Sequence, residues 1–235
     1  MKKKTKIVIA VTSVLVLCIT SISLGYYFIV YKPKVDHNNE LRRIAQEYYD
    51  NKVKQFEEEN KNIGEIDVCF LGDSLTDGYD VKSYDPEFKV VNRGIGGDTT
   101  VGLQKRLKVS AYDINPKVVT MLIGANNMSE MLDNYESILI DFQDNIPQTK
   151  IVSLSLTSMG KEWGRKNELA KQNNEVIKSL AEKYNYSYVD LFNPLLNNET
   201  GMIYDEYTTD GGHLTPKGYG VVTDQIKPVL TELLK

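Results

Sequence analysis

Histidine, cysteine and tryptophan are scarce in this chain: two, two and one among 235 residues. His37, His213, Cys18 and Cys69 form neither an HExxH motif nor paired CxxC motifs, so no metal site of familiar spacing is encoded. Two cysteines, Cys18 in the uncharged run near the amino terminus and Cys69 far from it in the globular part, exclude a disulfide framework. A basic excess is also missing. Lys and Arg total 28 against 32 Asp and Glu, a formal charge of −4, which argues against a nucleic-acid binder. Phosphate-binding signatures fail as well. There is no GxxxxGK[ST]. Gly94 and Gly96 begin a dinucleotide fingerprint, but its third position falls on Thr99. The GxSxG elbow fails because Thr76 stands where its second glycine belongs.

Charge is absent altogether from residue 7 to residue 31. A helix of that length spans roughly 37 Å, enough for a hydrocarbon core about 30 Å thick. Tyr26, Tyr27 and Tyr31 lie near its far end, where aromatic rings favour the interface. Lys2, Lys3, Lys4 and Lys6 precede the run and only Lys32 and Lys34 follow closely. The positive-inside rule therefore puts the amino terminus in the cytoplasm and the remainder outside. Small residues at Ser21, Ser23 and Gly25 leave signal-peptide cleavage as the alternative. The expected organisation is a basic tail over 1–6, a transmembrane signal anchor over 7–31, a stalk helix over 32–62 and a catalytic domain over 63–235. In the stalk, Leu41, Ile44, Ala45, Tyr48, Val53 and Phe56 recur at helical spacing between charges. That stripe lies on the domain or pairs with a second chain, and Gly64 ends the helix.

What remains is globular in composition, 41% hydrophobic and 26% charged. Short apolar runs at 66–71, 88–91, 117–123, 150–156 and 186–191 read as buried strands. Helical patterns at 100–109, 129–144, 166–184 and 216–234 fill the gaps. Such alternation predicts an α/β fold with a parallel sheet covered by helices on both faces. Functional loops should then follow the carboxyl ends of the strands.

Those loops are polar and specific. GDSLTDG (72–78) follows the first strand, NRGIGGDTT (92–100) the second and GANN (124–127) the third, while DGGHL (210–214) comes near the end. In this combination the chain resembles the SGNH, or GDSL, hydrolase family from about residue 66 to the carboxyl terminus. NRGIGGDTT and GANN look especially like the branch containing the platelet-activating-factor acetylhydrolase catalytic subunits. Many relatives carry Asp where Asn127 stands here. The resemblance implies a flavodoxin-like three-layer α/β/α sandwich with five parallel strands. It also implies roles: Ser74 as nucleophile, His213 as general base and Asp210 as its carboxylate partner. Backbone N–H groups of Ser74 and Gly97, with the side-chain amide of Asn126, would form the oxyanion hole.

The residue types suit that chemistry. A serine hydroxyl needs a base to become a nucleophile. His213 is the only histidine in the globular region, and imidazole titrates near neutrality. Asp210 can orient it. Asn126 offers two N–H donors on a neutral side chain, and Gly97 lets the backbone approach a substrate closely. Read singly, Ser74 fits a helix cap, and Asn92 and Asp98 fit loop stabilisers. Trp163 fits an acyl-pocket wall or ordinary packing, and 204–207 a site rim or a surface loop. The expected activity is a membrane-anchored, extracytoplasmic serine esterase working through an acyl-serine intermediate, with no cofactor and no metal. Its substrate would be a cell-envelope glycan O-acetyl group or a lipid ester. An O-acyltransferase, a lipase or thioesterase on the same site, and a non-catalytic glycan-binding module are the alternatives. No nucleic-acid partner is expected, and the oligomeric state is not encoded legibly.

Overall fold

The computed structural model describes residues 12–13, 19–84 and 86–235. The chain divides into two compact units, Met1–Tyr48 and Tyr49–Lys235. A π-helical turn at Tyr27–Tyr31 in the first leads into helix α1 (Lys32–Asn60), whose residues from Tyr49 on belong to the second. Among the described residues no helix is long and apolar enough to cross a membrane. Residues 7–11 and 14–18, which the expected span requires, lie outside the described residues.

The second unit contains strands β1 (Val68–Gly72), β2 (Val90–Gly94), β3 (Val118–Leu122), β4 (Lys150–Leu154) and β5 (Ser187–Val189). They form one five-stranded sheet in the order β2-β1-β3-β4-β5, and every pairing is parallel. The helices between and after them include α2 (Ser74–Asp77), α3 (Thr100–Lys105), α4 (Leu132–Asn145), α5 (Asn167–Lys183) and α6 (Pro216–Leu233). The expected α/β fold with five parallel strands is therefore what the chain adopts.

Strand alternation explains the layers. Cys69 and Leu71 face one side with Leu103, Tyr135, Ile138 and Ile177 of the covering helices. Val68 and Phe70 face the other with Val222, Ile226 and Leu230 of α6. Every residue of β1 and β3 is buried, as expected of central strands with both faces covered. Each such aliphatic or aromatic side chain contributes about 1.5–3 kcal/mol on burial.

Several boundaries differ from the sequence reading by a few residues, and two of them, next to the site, have a clear local cause. The second strand runs to Gly94 instead of ending at 91, because Asn92 and Arg93 pair in register with Phe70 and Leu71. Asn92 satisfies itself there: its Nδ2 donates to Thr76 O at 2.6 Å and Tyr79 O at 2.9 Å, and its Oδ1 accepts from Gly94 N–H at 2.8 Å. The helix expected over 100–109 stops at Lys105 and a π-helical turn occupies Lys108–Tyr112. Arg106 lies at that break with its side chain turned into the interior, 1% exposed.

The order of the sheet reverses between β1 and β3, which places a crevice at their carboxyl ends. The loops after β1, β2 and β3 meet there.

Candidate active site

β1 ends on Gly72, and the next residues turn sharply into α2. A Cβ at Gly72 would lie 2.1 Å from Thr76 Oγ1 and 2.3 Å from Leu122 O, so only glycine fits this turn. Asp73 then caps α2, its Oδ1 accepting from Leu75 N–H at 3.1 Å. Ser74 is the first residue of α2. Two further contacts hold this turn against α6. Tyr219 Oη donates to Leu75 O at 2.9 Å, and the Tyr219 ring stacks on Tyr79 with centroids 5.3 Å apart.

His213 comes from the segment before α6. Asp210 Oδ1 accepts from the backbone N–H groups of Gly212 and His213, both at 2.8 Å. Asp210 Oδ2 lies 2.7 Å from His213 Nδ1. The loop is pinned at both ends: Gly160 N–H donates to Gly211 O at 2.8 Å, and Thr208 Oγ1 donates to His213 O at 2.7 Å. Gly211 has φ +96°, with Gly160 O 2.4 Å from where a Cβ would stand.

The other imidazole nitrogen, Nε2, lies 3.1 Å from Ser74 Oγ. That distance is within the range for proton transfer from a nucleophile to its base. With the Asp210 carboxylate accepting at Nδ1, the neutral ring carries its proton there and leaves Nε2 free to accept. Hydrogen bonds from His213, backbone first, together with the imidazole, hold the Asp210 carboxyl well below the usual carboxylate range. Asp210 thus stays ionised beside the ring. His213 and Asp210 side chains are 55% and 50% exposed, so the pair stands in an open site.

The second loop brings Gly97 to the same edge. Ile95 N–H donates to Gly72 O at 3.1 Å and Gly96 N–H to Asp77 Oδ2 at 3.0 Å, tying the loop to the nucleophile turn. Gly97 is exposed with φ +77°, and among the described residues no group accepts its N–H or that of Ser74. The third loop supplies Asn126. Its Nδ2 donates to Asp98 O at 2.9 Å, which fixes the amide and leaves a second N–H on the same nitrogen. Asn127 latches this loop to α3: its Nδ2 donates to Thr100 Oγ1 at 2.8 Å. All five residues singled out from the sequence therefore come to one edge of the sheet.

Two buried groups at this edge were not singled out as part of the machinery. Asp73 is 1% exposed. Burial above all, and the nearby Asp98, push its carboxyl up to about 7, against the opposing Leu75 N–H. Its Oδ2 has no hydrogen bond of good geometry, though Ala125 N–H lies near enough to exert a small lowering pull. Arg106 is the other. Its Nε donates to Asp98 Oδ2 at 2.8 Å, Nη1 to Arg93 O at 2.8 Å and Ser110 Oγ at 2.9 Å, and Nη2 to Gly72 O at 3.0 Å. One guanidinium thus joins the ends of β1 and β2 to the loop carrying Gly97. Arg106 sits inside a helical sequence pattern, where a charge reads as solvated, so no sequence signal marks it.

A parallel α/β sandwich with a serine, an imidazole and a carboxylate in line at its carboxyl edge defines the serine-hydrolase class. Residues 70–221 match the GDSL-like lipase/acylhydrolase family model, and the chain belongs to that family. It is a serine hydrolase acting on ester bonds. No curated protein matches it. Solved structures do. One from Streptococcus pneumonia, provisionally assigned as a platelet activating factor, is 25% identical, covers 83% of this chain and 99% of its own, and has a TM-score of 0.77. A GDSL-like lipase from Bacteroides thetaiotaomicron is 21% identical over 77% of this chain and 97% of its own, TM-score 0.68. A variant of an acetyl xylan esterase from Geobacillus stearothermophilus is 22% identical over 72% of this chain and 96% of its own, TM-score 0.59. The last two share the fold.

Proposed function

We propose that this chain is a membrane-anchored esterase facing the outside of the cell. It removes small acyl groups, acetyl first, from cell-envelope carbohydrate through an acyl-Ser74 intermediate. The observation that carries the chemistry is the line from Ser74 Oγ to His213 Nε2 at 3.1 Å and from His213 Nδ1 to Asp210 Oδ2 at 2.7 Å. Ser74 Oγ attacks the ester carbonyl as His213 Nε2 takes its proton. The carbonyl oxygen becomes an oxyanion, and the N–H groups of Ser74, Gly97 and Asn126 are the donors at hand. Collapse breaks the bond to the alcohol, which leaves with the proton from His213. Water then attacks the acyl-serine with His213 again as base, releasing the carboxylic acid and Ser74. Preorganised oxyanion donors are the largest single contribution to such catalysis.

The substrate class is read from access. The half-exposed His213 and Asp210 suit an ester displayed on a bulky polymer. Trp163, 41% exposed, stands against Gly212, with its ring atoms 3.6 and 3.7 Å from the position a Cβ would take there. Lys166 Nζ lies over its ring, 4.9 Å from the centroid, and the exposed part of the indole beside the imidazole loop is of the kind that packs against a sugar ring. The acetyl xylan esterase relative shares the fold on which such a site is built. The GANN and NRGIGGDTT segments resemble the acetylhydrolase branch of the family, which supports a small acyl group.

The anchor rests on the uncharged run 7–31 behind four lysines. Among its described residues, Ile19, Ile22, Leu24, Phe28 and Ile29 are each more than half exposed, an apolar surface that a bilayer would cover.

A p-nitrophenyl ester series from acetyl to long acyl, assayed with the detergent-solubilised protein and its Ser74→Ala variant, tests the reading. Turnover that is highest on acetyl and lost in Ser74→Ala is expected. A profile that rises with chain length would replace the acetylesterase by a lipase. Membrane fractionation at high salt tests the anchor, with the protein expected in the membrane pellet.

A further inference from the structure

We propose that the last three turns of α1, residues 49–60, are a working part of the catalytic site: they hold the loop carrying Gly97 in position. This segment lies ahead of the region 70–221 that matches the family model. It belongs, however, to the same compact unit as the site, Tyr49–Lys235. The inference rests on the reading of Gly97 as an oxyanion donor.

Two tethers run from this helix to the residues flanking Gly97. The first is electrostatic. Lys52 Nζ lies 2.9 Å from Asp77 Oδ1, and Asp77 Oδ2 accepts the N–H of Gly96 at 3.0 Å. Asp77 closes α2, the turn that Ser74 opens, so one carboxylate couples the nucleophile turn to the residue before Gly97. Both side chains are mostly buried, 20% and 18% exposed, which reduces screening by solvent.

The second tether is apolar and cationic. Phe56, 1% exposed, packs in one buried cluster with Ile95 and Val109. The Arg93 guanidinium lies over its ring at 4.6 Å from the centroid. Arg93 is fully buried, and α1 supplies both of its polar partners, Glu59 to Nη1 and Asn60 Oδ1 to Nη2 at 2.8 Å. Arg93 and Ile95 flank Gly94 at the point where β2 opens into the loop. Tyr49 Oη, donating to Gly102 O at 2.9 Å, and Asn60 Nδ2, donating to Val109 O at 2.7 Å, fasten the two ends of the segment. An oxyanion donor must be preorganised to be effective, and a displacement of about 1 Å can cost roughly a hundredfold in rate. Lys52 and Phe56 are therefore positioning residues, acting through Gly96 and Ile95.

Lys52→Met in the full-length protein removes the first tether without opening a core cavity. The expected result is a kcat lowered about tenfold with KM within twofold, and Lys52→Arg restores kcat. Inactivation by a serine-directed phosphonate, whose adduct carries an oxygen in the oxyanion position, slows by a similar factor. Amide hydrogen exchange over 94–98 accelerates in Lys52→Met and returns to the wild-type rate in Lys52→Arg. Unchanged kcat and unchanged exchange in Lys52→Met would overturn the inference. So would a loss that Lys52→Arg does not repair or that appears only as lowered melting temperature. Wild-type protein without esterase turnover would instead overturn the functional reading, and the exchange data then decide the loop claim on their own.

Discussion

Replacing Arg106 by methionine removes a guanidinium that is 1% exposed while leaving its partner, Asp98, 2% exposed. Breaking a buried pair in this way costs about 3–5 kcal/mol, because a carboxylate is left without compensation. Gly72 O, Arg93 O and Ser110 Oγ lose a donor at the same time. For a body of this size each kcal/mol lowers the melting temperature by about 2–4 °C, so a fall of roughly 6–20 °C is expected. The loss should also depend on pH. Burial already raises the Asp98 carboxyl against the pull of Arg106, and without the guanidinium it rises further. Between the free value, about 3.9, and that raised value, the folded state holds a proton that the unfolded chain has released. Stability therefore falls as pH rises through this window. Urea unfolding at several pH values should show the Arg106→Met deficit smallest near pH ~4 and growing as pH rises from there. Adding Asp98→Asn should recover much of it, since the buried charge is then gone. A deficit independent of pH, and a double variant no more stable than Arg106→Met alone, would refute the reasoning.

Asp73 predicts a second pH dependence. Its carboxyl is held at about 7 by burial, so wild-type stability should decline as pH rises from about 4 toward 7, and Asp73→Asn should flatten that slope in thermal denaturation. Asn126→Ala should lower kcat by about 10²–10³ with little change in KM, the usual cost of one oxyanion donor. Gly72→Ala should fail to accumulate as folded protein by circular dichroism, because its Cβ meets the Leu122 carbonyl at 2.3 Å.

The sheet was legible because its strands are uninterrupted apolar runs, and β1 and β3 are buried along their whole length. The loops were legible because a serine, an asparagine, an aspartate and the sole globular histidine follow strand or helix signals in a fixed order. What could not be read are the residues whose partners lie far away in sequence. Arg93, between Asn92 and Gly94, and Arg106, between Lys105 and Leu107, look like surface charges, yet both are buried. Their partners include Glu59 and Asn60, 34 and 33 positions before Arg93, and Gly72, 34 positions before Arg106. Helix α5 carries the same lesson. Asn167 and Asn174 interrupt its apolar stripe, but each bonds both backbone groups of a loop residue, Met159 and Leu156 respectively. Periodicity registers them as polar and gives no hint that they are interior. The role of residues 49–60 was obscured for a related reason: a charged helix next to an apolar run reads as a stalk, and the partners of Lys52 and Phe56 are defined only after folding.

The central claim is that Ser74 is a nucleophile activated by His213. The most direct measurement is intact-protein mass after exposure to a serine-directed phosphonate, followed by peptide mapping. A single adduct on Ser74, absent in Ser74→Ala and strongly slowed in His213→Ala, is the predicted result. Folded wild-type protein that takes up no adduct, or takes it up at another residue, would contradict the account.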